Sequence, residues 1–417
     1  MNNPEAHRSH LTWLLFFGRS LASAGYIAGA TIGAIVGAEL SGQPALAGVP
    51  GATYLLGSAV AAYPAARLME RTGRRLGLSL GFVIGIVGAL LAGASIVGRS
   101  FVGFLGGFML MGVAQGFSDL GRYAAAEMHP VTERARAISL VVLGGTVGAV
   151  LGPALVDPMG KLAERFQADP LAGPWFASAA LFALGALLIF LFLRPDPRDL
   201  SRMIEARPAE NIPGADADRL RPTGEILSQP GTQLAIAAMA LGQLVMVMIM
   251  AITSLHMQHN HHGLGEVSFV IMAHTLGMFG LSMVSGRLAD KLGRAPTIVA
   301  GAAILIAACL LAPVSQNTYV LATALFLLGL GWNFCYVAGG ALLTDTLTFA
   351  ERGRMQGSND LVVALISAAG NLGSGVVFAV FGYAVIAWVS LAVTLVPLAL
   401  ALNFLYTRRG QLQAADG

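Results

Sequence analysis

Charge is scarce in this chain of 417 residues: Asp, Glu, Lys and Arg together make up 11% of it, against about 25% in an ordinary soluble domain. Water is therefore not its main solvent. Cysteine is nearly missing, with only Cys309 and Cys335, both in apolar segments, so a disulfide framework or a zinc finger is excluded. There is no strong excess of one charge either. The formal balance is +3, and the basic residues form no single face of the kind a nucleic-acid binder needs. No phosphate-cradling glycine loop after a strand, no nucleophile elbow and no HExxH pattern is present, so neither an enzymatic reaction nor a resident cofactor is expected.

What the chain does have is apolar length, with 56% hydrophobic residues and a positive mean hydropathy. A helix that crosses a bilayer needs roughly 20 mostly apolar residues. Segments of that kind recur at about 12–38, 51–69, 76–97, 101–124, 137–157, 174–193, 231–255, 265–285, 296–314, 319–343, 357–382 and 385–406. The expected fold class is an all-α membrane protein with about twelve transmembrane helices. The first span is too long for a cleavable signal core and is read as retained.

The stretch RPDPRDLSRMIEARPAENIPGADADRLRPTGE is rich in Pro and in both charges and cannot form a span. It divides the chain into a six-helix bundle over 1–193, a linker over 194–229 and a second bundle over 230–417. With both termini inside, 20 of the 25 Lys and Arg residues fall at cytoplasmic loops or ends. Only Arg99, Lys161 and Arg165 lie outside, and Arg19 and Arg122 lie within spans, as the positive-inside rule requires. The expected location is a bacterial inner membrane, with the lipid bilayer as a partner.

Two polar signatures recur in the same order and at nearly the same spacing, which marks two related halves. ARLMERTGRR at 66–75 returns as GRLADKLGRA at 286–295. Glu127 followed by ERAR at 133–136 returns as Asp345 followed by ERGR at 351–354. The first signature resembles the loop that members of the major facilitator superfamily carry between the second and third helices of each half. By that resemblance Glu70, Gly73 and Arg74, and again Gly286, Asp290, Gly293 and Arg294, fasten the cytoplasmic helix ends during gating, and the fold is two pseudo-symmetric six-helix halves working by alternating access. The second copy is complete, whereas the first has Ala66 and Glu70 where Gly and Asp are usual.

Gly145, Gly148, Gly152 and Pro153 in the fifth span resemble the glycine motif of antiporters in that superfamily, but small residues four apart also allow close helix packing, and packing is the expectation. In the fourth span Gly112 stands where many proton-coupled members place arginine, just before the pair Gln115 and Gly116. That weighs against a drug/proton exchange mechanism.

Met and His crowd one part of the chain: the segment 239–283 holds eight of sixteen methionines and five of eight histidines. Methionine alone is more often a gap-filler than a ligand. Here, however, Met246 and Met250 are i, i+4 on the seventh span, and His274 and Met278 are i, i+4 on the eighth, so each pair shares a helical face. Thioether and neutral imidazole donors select a soft monovalent ion such as Cu(I) over hard cations, and a set without carboxylates suits a single charge inside a membrane. Between the two spans His256, Met257, His259, His261 and His262 form a His-rich tract expected to face outside, a reasonable mouth for collecting metal.

The MxxxM and HxxxM pair looks like the signature of the CcoA-type copper importers within the superfamily. That resemblance implies that Met246, Met250, His274 and Met278 bind copper. It also implies copper as transported cargo for cbb3-type oxidase assembly, and a cytoplasmic copper chaperone as a partner. The same clade is similar to riboflavin transporters, so an organic solute is the alternative cargo, and a metal sensor that moves nothing is a third reading. Among other ionisable or polar residues in the spans, Asp119 is a possible proton site and is spaced to pair with Arg122, while Asn333 and Cys335 are candidates to line an exit path.

Overall fold

In a bilayer every backbone N–H and C=O must find a partner inside its own segment, and the helix is the arrangement that achieves this for apolar runs of this length. The structure, a computed structural model, describes residues 4–130, 133–200 and 221–416, and these contain helices and no strand. Most of the expected linker, 201–220, lies outside the described residues. Twelve helical segments among the described residues are long and apolar enough to cross a membrane. Their ends fall close to the expected ones: the first runs Arg8–Ser41 and the eleventh Arg354–Phe381.

The chain divides into two compact units, Met1–Gln43 with Val49–Asn211 and Gly263–Ser268, and Pro44–Gly48 with Ile212–His262 and Phe269–Gly417. In the first, α1 (Pro4–Ser41), α2 (Val49–Thr72), α3 (Arg74–Val97), α4 (Phe101–Asp119), α5 (Gly121–Glu127), α6 (Arg134–Ala154), α7 (Val156–Arg165) and α8 (Gly173–Phe192) follow in order. Helix α1 packs mainly on α6, α2 on α4, and α3 on α4 and α8. Phe104, Phe108 and Trp175 form the bulkiest part of its core, with Phe104 edge-on to Trp175 at 5.1 Å. Apolar residues such as Val83, Leu90 and Leu187 remain exposed, as a lipid-facing surface requires.

The second unit holds α9 (Thr223–Ser228), α10 (Pro230–His259), most of α11 (Leu264–Phe279), α12 (Ser282–Leu292), α13 (Arg294–Leu311), α14 (Thr318–Asp345), α15 (Phe349–Phe381) and α16 (Tyr383–Asp416). Helix α10 packs on α14, α15 and α16, and α13 on α14 and α16. Hydroxyls inside the spans turn back onto their own helices: Thr253 donates to Ile249 O at 2.7 Å and Thr394 to Ser390 O at 2.8 Å. Such bonds remove the penalty of a bare hydroxyl in hydrocarbon.

Two expectations meet local geometry here. Gly148 does serve packing, because a Cβ there would lie 2.0 Å from Ser20 O on α1. Asp119, in contrast, does not pair with Arg122. Helix α4 ends at Asp119 and a new helix starts at Gly121, so the i, i+3 register needed for that pair is interrupted. Asp119 is held instead by Arg19 of α1 at 2.9 Å and by Gln115 at 3.0 Å, while the Arg122 guanidinium lies over the Tyr123 ring.

Candidate functional site

Of the four residues singled out on the seventh and eighth spans, His274 has the most informative surroundings. Its side chain on α11 is completely buried. Nδ1 lies 2.9 Å from the backbone oxygen of Leu325 on α14. A carbonyl can only accept, so Nδ1 carries the ring proton and Nε2 presents a bare lone pair. That Nε2 atom is buried with no hydrogen-bond partner. Buried polar atoms are nearly always paired, so an orphan of this kind calls for an explanation.

Helix α11 reaches α14 this closely because both present glycine. A Cβ on Gly277 would lie 2.2 Å from Phe326 O, and one on Gly329 would lie 2.3 Å from His274 O and 2.8 Å from Met278 N. The backbones therefore touch from the histidine through the turn that follows it. One turn later Met278 is half-buried, and α11 ends at Phe279. The span resumes as α12 at Ser282, so it is a broken helix. Asn333 of α14 sits at the break: its Nδ2 donates to Met278 O at 2.7 Å and to Ser282 Oγ at 2.9 Å, and its Oδ1 accepts from Ser285 Oγ at 2.6 Å.

On α10 Met246 is buried and Met250 is half-buried. Met248 points elsewhere, toward Gly370 of α15, which separates it from the i, i+4 pair. The His-rich tract is more helical than its composition suggests, because α10 continues to His259. Met257 is fully buried. The His256 ring stacks on Tyr383 at 4.2 Å and 5°, His259 lies 5.5 Å from the Phe378 ring, and His262 Nδ1 is 3.3 Å from Thr318 Oγ1. His261 holds a left-handed φ of 63° in the turn that follows. Among the described residues no three His, Cys, Asp or Glu side chains form a preassembled metal cage.

In the repeated loops, one in each unit, Gly73 and Gly293 adopt φ of 95° and 98°, a region that side chains disfavour. Arg74 follows the first and binds Glu127, with Nε at 2.9 Å. Arg294 follows the second and binds Asp345 at 3.1 Å and Asp290 one turn back. Glu70 is exposed, and Gly286 is half-buried with open space where a Cβ would stand. Asp196 supplies what Glu70 does not, accepting from the backbone N–H groups of Arg74 at 3.0 Å and Arg75 at 2.9 Å. Cys335 is buried within 3.9 Å of Ile298 O.

Sequence reasoning did not single out two tyrosines. Tyr26 and Tyr54 take the places in the first half that Met246 and His274 take in the second, in the register that aligns 66–75 with 286–295. Their rings stack at 3.8 Å with an interplanar angle of 13°. The close approach of helices repeats too: a Cβ on Gly112 would meet Tyr54 O at 2.0 Å, as one on Gly329 would meet His274 O. The second and fourth spans of each half thus touch in the same register.

The profile described as the Major Facilitator Superfamily matches residues 12–265 and 234–416. The MFS-type transporter YdeG of Bacillus subtilis is 38% identical over 389 residues, covering 92% of this chain and 90% of that protein. The riboflavin transporter RfnT of Brucella anthropi is 31% identical over 376 residues, covering 89% and 91%. Among solved structures, a bacterial homolog of the human lysosomal transporter Spinster, inward-facing and occupied, superposes with a TM-score of 0.70 at 15% identity over 98% of each chain. At that identity the likeness is one of fold.

Proposed function

The chain belongs to the major facilitator superfamily of membrane transporters, and on that premise we propose that it imports copper, as Cu(I), across a bacterial inner membrane by alternating access. The observation that carries this reading is the buried, unpartnered Nε2 of His274 with Nδ1 fixed on Leu325 O. Histidines that ligate metals characteristically donate the other ring N–H to a backbone carbonyl or carboxylate, which fixes the tautomer and aims the free lone pair. Met278, Met246 and Met250 supply thioether sulfur on the faces that the helical register pairs with His274, and sulfur with imidazole suits Cu(I). The stack of Tyr26 on Tyr54 supports convergence of those faces, since the same two positions in the first half are in contact. Cargo would enter past His256 and His259 and leave to a cytoplasmic chaperone for cbb3-type oxidase assembly. Protonating Nε2 removes its lone pair, so acid weakens binding.

The test is accumulation of radioactive copper in cells expressing the wild type, His274→Leu and Met250→Leu. We expect either substitution to reduce uptake to background while the protein remains folded in the membrane. Wild-type levels in both variants would overturn the reading.

A second reading is favoured by one observation, the 31% identity to a riboflavin transporter over most of both chains. In it the cargo is a planar aromatic solute, the methionines are pliable packing, and the Tyr26–Tyr54 stack is the recognition element. Flavin uptake measured beside copper uptake decides between the two.

A further inference from the structure

The eighth span breaks between Phe279 and Ser282, directly after Met278, whereas the second span, its counterpart, runs unbroken from Val49 to Thr72. Broken spans are where transporters of many folds expose backbone and aim side chains at cargo. A break inside hydrocarbon needs its freed polar groups satisfied from neighbouring segments. Here one side chain does that. Asn333, buried at 3% exposure, donates to Met278 O and Ser282 Oγ on the two sides of the break, and its own oxygen accepts from Ser285. Three bonds of 2.6–2.9 Å leave the amide no free rotation. The same helix, two turns earlier, supplies the Leu325 oxygen that fixes the His274 ring.

We propose that Asn333 is a positioning residue for the cargo site: it holds the break so that the Met278 thioether is presented together with His274 Nε2. The inference rests on the copper reading for its function but not for its geometry. In the first half Gly116 follows Gly112 by one helical turn, as Asn333 follows Gly329, and the unbroken second span needs no such brace. The Met278 backbone is therefore held from α14, the same helix that fixes the His274 ring.

The experiment uses the full chain in lipid nanodiscs, labelled with 13C at methionine methyls, with the Met278 signal identified through Met278→Leu. Asn333→Ala is expected to move or broaden the Met278 methyl signal while the other methionine signals stay in place. Ser285→Ala, a milder change that releases the amide oxygen along with the 3.0 Å contact of the hydroxyl to Ser282 O, should move it in the same direction by less, and it stands in should Asn333→Ala not fold. Competition with a chromophoric Cu(I) chelator should show binding about tenfold weaker in Asn333→Ala. Little further loss should appear when Asn333→Ala is added to Met278→Leu, because both act through one ligand. A Met278 signal unmoved in both variants overturns the proposal, whatever the metal does. A wild type that binds no Cu(I) while Asn333→Ala still displaces Met278 overturns the copper reading and leaves the positioning role standing.

Discussion

The two halves share a helix-pairing scheme and differ at the positions for which we propose a role in taking cargo. In the first, Tyr26 and Tyr54 close on each other as stacked rings, beside a second span that is continuous. In the second, the corresponding positions hold Met246 and His274, and the eighth span is broken one turn later. The helix contact itself is the same, backbone against backbone at Gly112 and again at Gly329. A duplicated scaffold can therefore keep its packing and change its chemistry, because packing rests on glycines and chemistry on the residues between them.

The sharpest way to break this comparison is to make the second half copy the first. Met246→Tyr with His274→Tyr should reduce copper uptake by more than about tenfold, as removal of metal-site residues does. Tyr26→Leu with Tyr54→Leu should leave it within about twofold. The opposite pattern, with flavin uptake lost in the tyrosine variants and copper untouched by either, would place recognition in the first half and make the methionines packing.

A smaller effect should separate scaffold from site. Gly329→Ala and Gly112→Ala each push a methyl into a backbone oxygen, at 2.3 Å and 2.0 Å, and overpacking of this kind destabilises by about 1–3 kcal/mol. Thermal stability in detergent should fall similarly in both. Copper uptake per folded molecule should fall only in Gly329→Ala, since only that methyl displaces His274 and Met278. Equal losses of uptake would mean that the site depends on the whole bundle rather than on one helix contact.

Much of this was legible in the sequence, and the parts that were not share a cause. Spans follow from hydropathy because the bilayer imposes length directly, and the loops at Gly73 and Gly293 follow from a repeated polar pattern. The break after Phe279 left no signal: MFGLSM is uniformly apolar or small, and a glycine in a span is ordinary. The role of Asn333 was equally hidden, because an asparagine in a span reads as an exit-path candidate until its partners are seen. Asp119 was matched to Arg122 by spacing, but the helix ends between them and Arg19, far away along the chain, takes the place. Tyr26 and Tyr54 could have been found by carrying the register of the repeated loops back into the spans. Local periodicity reports the solvent, whereas pairings across helices need the fold.

The smallest expected effect concerns the second repeated signature. Glu133 is exposed, while its counterpart Glu351 is fully buried. Arg221 binds both oxygens of Glu351, at 2.9 Å and 2.6 Å, and Thr348 donates its backbone N–H at 3.0 Å. The Arg221 hydrogen bonds hold this carboxyl far below the ordinary carboxylate range. A carboxyl with a depressed folded value contributes stability above its unfolded value, about pH 4.3, and loses that contribution as pH falls through the folded value. Removing the clamp with Arg221→Ala should therefore lower the melting temperature at neutral pH by about 2–4 °C. The gap to the wild type should hold steady down to about pH 4 and narrow only in stronger acid, because below the unfolded value the unfolded chain's carboxyl takes up a proton while the clamped carboxylate does not. Glu133→Gln should shift nothing measurable, as expected of an exposed charge. A gap that closes already between pH 7 and pH 5 would mean that another group holds this end of the bundle, and that the two signatures differ in sequence position but not in strength.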